Sequence, residues 1–374
     1  MTDFLKQLPK HIRDMAERVN VCTPELILVT STEKFLDTRV LEEDRAKDKS
    51  SFQSVLTKTN PHYCYKLEKS VSNDVKCKPE DVRQLKDAAA KWLAQSPVAA
   101  DSLLQPPACN KWSHLSFGCA SLDRCTGGGV STRGITEICG AAGVGKTQLL
   151  LQLSLCAQLP TNLGGLGRGV AYICTEDVFP SRRLLQISKA FETRYPDQKL
   201  RYMSNVFIEQ LYDSEPLLNC VCKRLPKLLE QQDIGLIIVD SVAAIFRLYT
   251  DFIERARDLR RFAHALLGYV DKYKLAVVCS NQMTASSANS ENGTLQDMPC
   301  LGLQWAQLVR THLRISKGPR QHWKAAEMLS VRKLEVVFSP DTPNQSTEFF
   351  ITSDGVVDMP VPPDLEVPSK RTRR

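Results

Sequence analysis

The chain has 374 residues, 43% of them apolar and 24% charged, with a formal net charge of +7. That length allows one large domain and a smaller one, and the charge permits a nucleic-acid partner without requiring one. Thirteen scattered cysteines without a CxxC pair suit a reducing compartment, and no segment reaches the roughly 18 apolar residues of a membrane span or the pattern of a secretory leader.

From Leu5 to about Ser96 the pattern is helical and short. Leu8 to Val19 is one amphipathic stretch. Pro79 to Leu93 is another, with Val82, Leu85, Ala89 and Trp92 at helical spacing on one face. Between them Leu41 to Lys49 is a charge run and Ser50 to about Asn73 is polar, which predicts an insertion over 41–73. A small helical N-terminal domain over 1–95 follows. Three prolines and small residues make 96–110 a linker.

The second domain is predicted over 111–358. Gly134 to Cys139 reads as a buried strand, Gly145 to Leu159 as an apolar helix, and the turn between them is Gly140-Ala141-Ala142-Gly143-Val144-Gly145-Lys146-Thr147. Glycines there let consecutive backbone N–H groups face a phosphate chain. Lys146 reaches the β and γ phosphates and the Thr147 hydroxyl meets Mg²⁺, so the ligand implied is a nucleoside triphosphate.

Strand patterns recur at Val170 to Cys174, Val206 to Ile208, Leu236 to Val239 and Leu275 to Cys279, separated by helical stretches, which predicts a mainly parallel α/β sheet. The first ends in Thr175-Glu176-Asp177. Glu176 is placed to take a proton from an attacking water, while both acids also fit a helix start, Asp177 above all. Leu236 to Val239 ends in Asp240, which reads as an Mg²⁺ carboxylate or as the opening of a turn. Leu275 to Cys279 ends in Ser280-Asn281-Gln282. Gln282 can sense a γ phosphate through its amide, or be solvated at the start of a loop. Runs at Leu308 to Ile315, Leu334 to Phe338 and Phe349 to Thr352 lack intervening helices and predict an antiparallel extension. Residues 359–374 are a Pro-rich, basic tail ending Lys370-Arg371-Thr372-Arg373-Arg374, a nuclear import signal or a solvated terminus.

Taken in order, Ile135 to Gly140 with Gly145 to Leu149, Tyr172 to Asp177, Asp240-Ser241-Val242 and Asn281-Gln282 resemble the ATPase core of the eukaryotic RecA-type recombinases, more specifically one of their paralogues. The resemblance covers roughly 115–356 and is looser before it. It implies a RecA-like P-loop ATPase with ATP and Mg²⁺ as cofactors, slow and DNA-stimulated. Gly140, Ala141, Ala142, Gly143, Val144, Gly145, Lys146, Thr147 and Gln148 would form the nucleotide cradle. Lys146 and Glu176 would be catalytic, Thr147 and Asp240 metal-side, Gln282 the γ-phosphate sensor, and Arg183 the arginine that packs on adenine. Two DNA-facing loops would lie at about 247–258 and 283–302. The second contains Glu291 and Asp297 and neither Lys nor Arg, so backbone neutralisation falls to Arg247, Arg255, Arg257, Arg260 and Arg261, with His312, Arg314, Lys317 and Arg320 as a second group. By charge alone such a cluster is more often a solvated face, and DNA contact is what the resemblance implies. Pro97-Val98-Ala99-Ala100 stands where the family carries an apolar-x-x-Ala edge strand for polymerisation. It lacks the aromatic anchor, so Val98 and Ala100 fit partner binding or a plain linker. Work in homologous recombination repair is implied, in the nucleus with some cytoplasmic fraction, in a hetero-oligomer with a C-type RecA-family paralogue, acting on the recombinase filament and on single-stranded or branched DNA. Two rival outputs are a nucleotide-gated assembly module without turnover and a helicase-like motor.

Overall fold

The computed structural model describes residues 3–18, 27, 78–93, 99–104, 112–285, 297–324 and 327–359. They fall into two compact units, within 1–103 and within 104–374. The predicted insertion at 41–73, Val98, most of the linker, the middle of the second loop with Glu291, and the tail from Pro360 lie outside the described residues.

In the first unit, helices α1 (Asp3–Lys6), α2 (Lys10–Arg18) and α3 (Pro79–Leu93) share a core of Phe4, Leu5, Ile12, Met15, Val82, Leu85 and Ala89. Asp81 accepts the Lys78 N–H at 3.0 Å and fixes the start of α3. Trp92 departs from its predicted core place. It is 47% exposed in the last turn of α3, its ring in an edge-to-face pair with Phe4 of α1.

The second unit begins with the short pair β1 (His114–Leu115) and β2 (Val130–Ser131), with α4 (Ala120–Cys125) between them. The strands of the main sheet are β3 (Ile135–Gly140), β4 (Gly169–Cys174), β5 (Val206–Gln210), β6 (Ile234–Asp240), β7 (Ala276–Ala285), β9 (Thr311–Lys324), β10 (Glu327–Phe338), β11 (Ser346–Thr352) and β12 (Gly355–Asp358), with β8 (Asp297–Pro299) paired to β7. Their order is β12-β11-β10-β9-β3-β7-β6-β4-β5. The helices are α5 (Lys146–Cys156), α6 (Ser181–Arg194), α7 (Ser214–Asn219), α8 (Leu225–Gln231), α9 (Val242–Phe246), α10 (Phe252–Tyr273) and α11 (Gly302–Ala306).

Six neighbouring strands, from β9 through β5, run parallel. Their alternate residues feed two cores. Ile138, Tyr172, Ile238 and Val278 pack with α5 and α6, while Ile173, Ile237, Val239 and Val277 pack with α9 and α10. Burial on both faces is why β4, β6 and the first half of β7 read as continuous apolar runs.

Three expectations need correction. β9 is parallel to β3 and antiparallel to β10, so the antiparallel extension starts one strand later than predicted. β9 and β10 also pair out to Lys324 and Glu327, well past the apolar run that marked the strand. And β7 continues to Ala285, where Met283, Thr284 and Ala285 pair with Pro299, Met298 and Asp297, so the second loop stands on a hairpin stem. In the last two places backbone pairing needs no apolar side chain, so polar sequence concealed the strand, while in the first the strand was visible and only its direction, which periodicity does not report, was not.

Candidate functional site

Parallel strands bring their carboxyl ends to one edge, and the predicted chemistry sits there. Gly140 is opposite Gln282 in register, and Cys174 is opposite Asp240. At Gly140 a Cβ would stand 2.5 Å from the Ile315 carbonyl oxygen, and at Gly145, with φ +108°, it would stand 2.3 Å from Ile351. Only glycine fits either place.

Lys146 is buried at the start of α5. Its ammonium donates to the Gly140 and Ala141 carbonyls at 2.8 and 2.9 Å, and burial pulls its pKa down. A desolvated ammonium folded over its own loop fits an anion between the two. Asp240 accepts hydrogen bonds from Thr147 Oγ1 and Tyr172 OH at 2.8 Å each, and from Ser280 Oγ on its other oxygen. Among the described residues no group of three or more His, Cys, Asp or Glu could hold a metal ion. One carboxylate beside a Thr hydroxyl is instead the donor set of Mg²⁺, which keeps its waters and takes other oxygens from phosphates.

Glu176 lies at the edge of β4, where its Oε1 accepts from Ser241 Oγ and from Gln282 Nε2, the latter at 2.6 Å. Arg247 in turn donates to Gln282 Oε1 at 2.6 Å. Asp177 does not cap α6, whose N-cap is Pro180 with no side-chain bond; its carboxylate takes only the adjacent Val178 N–H. Arg183 donates to Gln148 Oε1, Gln186 Oε1 and the carbonyls of Thr352 and Ser353, which fixes its guanidinium between α5 and the β11–β12 turn. The other arginines are dispersed. Arg255 donates to the Cys300 carbonyl, Arg257 pairs with Glu254 and Asp258, and Arg260 and Arg261 are exposed along α10. In the second basic group Arg314 pairs with Glu335, Arg320 with Glu348, and His312 with Glu137. Ala100 opens a short 3₁₀ turn to Leu104.

Sequence reasoning missed several partners. Tyr172 and Ser280 were single polar positions in apolar strands, which was their only signal. Arg332 on β10 donates to the Val144 carbonyl at 2.9 Å, from 188 residues away, and nothing local announced it. The largest omission is a buried network under the site. Glu137 on β3, 1% exposed, accepts from Asn281 Nδ2 at 2.7 Å and Trp305 Nε1 at 2.8 Å, and its other oxygen meets His312 Nδ1 at 2.6 Å.

The second ring nitrogen of His312 faces the Ala306 carbonyl at 3.1 Å. With acceptors on both sides, both nitrogens carry hydrogen, which makes the ring an imidazolium. Burial pulls its pKa down, but the bond to Glu137, its charge and the Ala306 carbonyl outweigh that and leave it raised. A raised folded value means this pairing stabilises the fold fully below the unfolded pKa of about 6.5 and is lost as pH rises through the folded value. The urea midpoint should therefore fall between pH 6 and pH 9. In His312→Gln that fall should be smaller, and equal slopes in the two proteins would refute the protonated pair.

A parallel sheet with a phosphate loop in its first crossover, a glutamine on the neighbouring strand and carboxylates at the ends of the next two defines a P-loop nucleotide site of the RecA type. The chain belongs to the Rad51 family, whose model matches residues 110–359. It is 36% identical over 264 residues to DNA repair protein XRCC3 of Mus musculus and 38% identical over 258 residues to that of Bos taurus, each match covering 66% of this chain and 75% of the relative. It is 32% identical over 299 residues to the DNA repair protein XRCC3 homolog of Arabidopsis thaliana, covering 69% of this chain and 97% of the relative. The paralogue branch expected from the motifs is the one in which these relatives fall.

Proposed function

We propose that the chain binds ATP with Mg²⁺ and hydrolyses it slowly, as a paralogue in homologous recombination repair of DNA. The observation that supports this most is the convergence of Lys146, Thr147, Asp240, Glu176 and Gln282 on one sheet edge, with Thr147 bonded to Asp240 and Gln282 to Glu176. Residues 140–148 would hold the phosphates through backbone N–H groups and the Lys146 ammonium, and Thr147 and Asp240 would hold Mg²⁺, whose charge neutralises that developing on the transferred phosphoryl group. Asp240 is kept in place by Tyr172 and Ser280. Glu176 positions a water and takes its proton as the oxygen attacks, while Gln282 reads the γ phosphate. Arg183, fixed against Gln148, would pack on adenine.

The work would take place in the nucleus, with some of the protein in the cytoplasm, in a hetero-oligomer with a C-type RecA-family paralogue, with Val98 and Ala100 in partner binding, acting on the recombinase filament. For single-stranded or branched DNA the best-placed side chains are Arg260 and Arg261, exposed on α10 with no carboxylate partner among the described residues. Phosphate release by the purified full chain should fall about a hundredfold in Glu176→Gln while ATP affinity stays within about threefold, the loss expected of a general base. Equal rates in the two proteins would leave binding without catalysis.

A further inference from the structure

Gln282 is bound on both sides by groups that allow it one orientation. An arginine can only donate, so the amide oxygen faces Arg247; a carboxylate can only accept, so the amide nitrogen faces Glu176. Glu176 receives that bond on the oxygen already taken by Ser241 Oγ, and an oxygen with two donors is a weaker acceptor for a water proton. The same bridge recurs in the backbone. Gln282 O accepts from Cys300 N at 2.9 Å, and the Cys300 carbonyl accepts from Arg255 on α10. Two arginines from the segment after β6 thus tie down both stems of the second loop.

We propose that Arg247 is a positioning residue. By fixing the Gln282 amide it restrains Glu176 in the nucleotide-free protein, and Gln282 turning to a γ phosphate releases Glu176 and Arg247 together. The inference rests on the ATP-turnover reading above, and it takes Arg247 out of direct DNA contact. Glu176 and Arg247 are exposed, so the bonds between them contribute little to stability and Arg247→Ala should fold normally.

The test is amide hydrogen exchange over residues 279–285 of the full chain, with and without ATP and Mg²⁺, in wild type, Arg247→Ala and Arg247→Lys. Without nucleotide, exchange in Arg247→Ala should rise about threefold, the loss of one modest hydrogen bond, and Arg247→Lys should recover part of it. ATP affinity should stay within about twofold while basal phosphate release rises about threefold at unchanged KM, because Glu176 is no longer held back. Unchanged exchange in the nucleotide-free Arg247→Ala protein overturns the proposal. So does a drop of about one in the salt slope of single-stranded DNA binding, the mark of a lost phosphate contact. Failure of wild type to bind ATP would defeat the turnover reading, and the nucleotide-free comparison would still decide the role of Arg247.

Discussion

Lys146→Ala is expected to weaken ATP binding at least about a hundredfold, or roughly 3 kcal/mol, measured by fluorescence titration with a labelled ATP in the presence of Mg²⁺. The size follows from where the ammonium sits. It is largely desolvated already and bonded only to two carbonyls of its own loop, so a phosphate that displaces those bonds gains a strong charge-assisted partner without a large further loss of hydration. Lys146→Arg should not rescue binding, because a planar fork does not fit where a point charge folds back over the turn. The fold should survive both changes. Ala141 is exposed, so water can take over its carbonyl bond, and only the buried Gly140 carbonyl loses the lysine as a partner, a cost of about 1–3 kcal/mol. Affinity within about threefold of wild type in Lys146→Ala would remove the phosphate-loop assignment.

The second large effect lies under the site. Glu137→Ala should destabilise the protein by about 3–5 kcal/mol and lower its melting temperature by about 10 °C, read by calorimetry. One substitution strips the acceptor from Asn281, Trp305 and the His312 imidazolium together, and Trp305 and Asn281 have almost no exposure through which water could replace it. Glu137→Gln should cost less, because its amide oxygen can still accept from Trp305 or Asn281. The network joins β3 under the phosphate loop, β7 beside Gln282, and α11 where the second loop returns. Loss of stability should therefore accompany weaker order at both stems of that loop.

How far the sequence could be read follows from how each group is held. The phosphate loop, Glu176, Asp240 and Gln282 were legible because each lies where an apolar run stops, and in a parallel sheet all such stops meet on one edge. The orienting partners were not. Tyr172 and Ser280 act on Asp240 through strand register, which periodicity does not report. Glu137 and His312 meet across 175 residues, and a glutamate inside a β-branched strand reads as a solvated position until the opposite strand supplies a cation. The arginines show the opposite limit. Composition grouped five of them, whereas the structure bonds Arg247 and Arg255 to the two stems of the second loop, pairs Arg257 on its own helix and leaves Arg260 and Arg261 outward.

Turnover, γ-phosphate sensing and the release of Glu176 all require one site that holds ATP and Mg²⁺ together, and thermal unfolding of the full chain tests that directly. Adding ATP and Mg²⁺ at about a hundred times the dissociation constant should stabilise wild type by about 2.7 kcal/mol, with a clear rise in melting temperature that shrinks when EDTA removes the metal and disappears in Lys146→Ala. No rise in wild type, or an equal rise in Lys146→Ala, would contradict it.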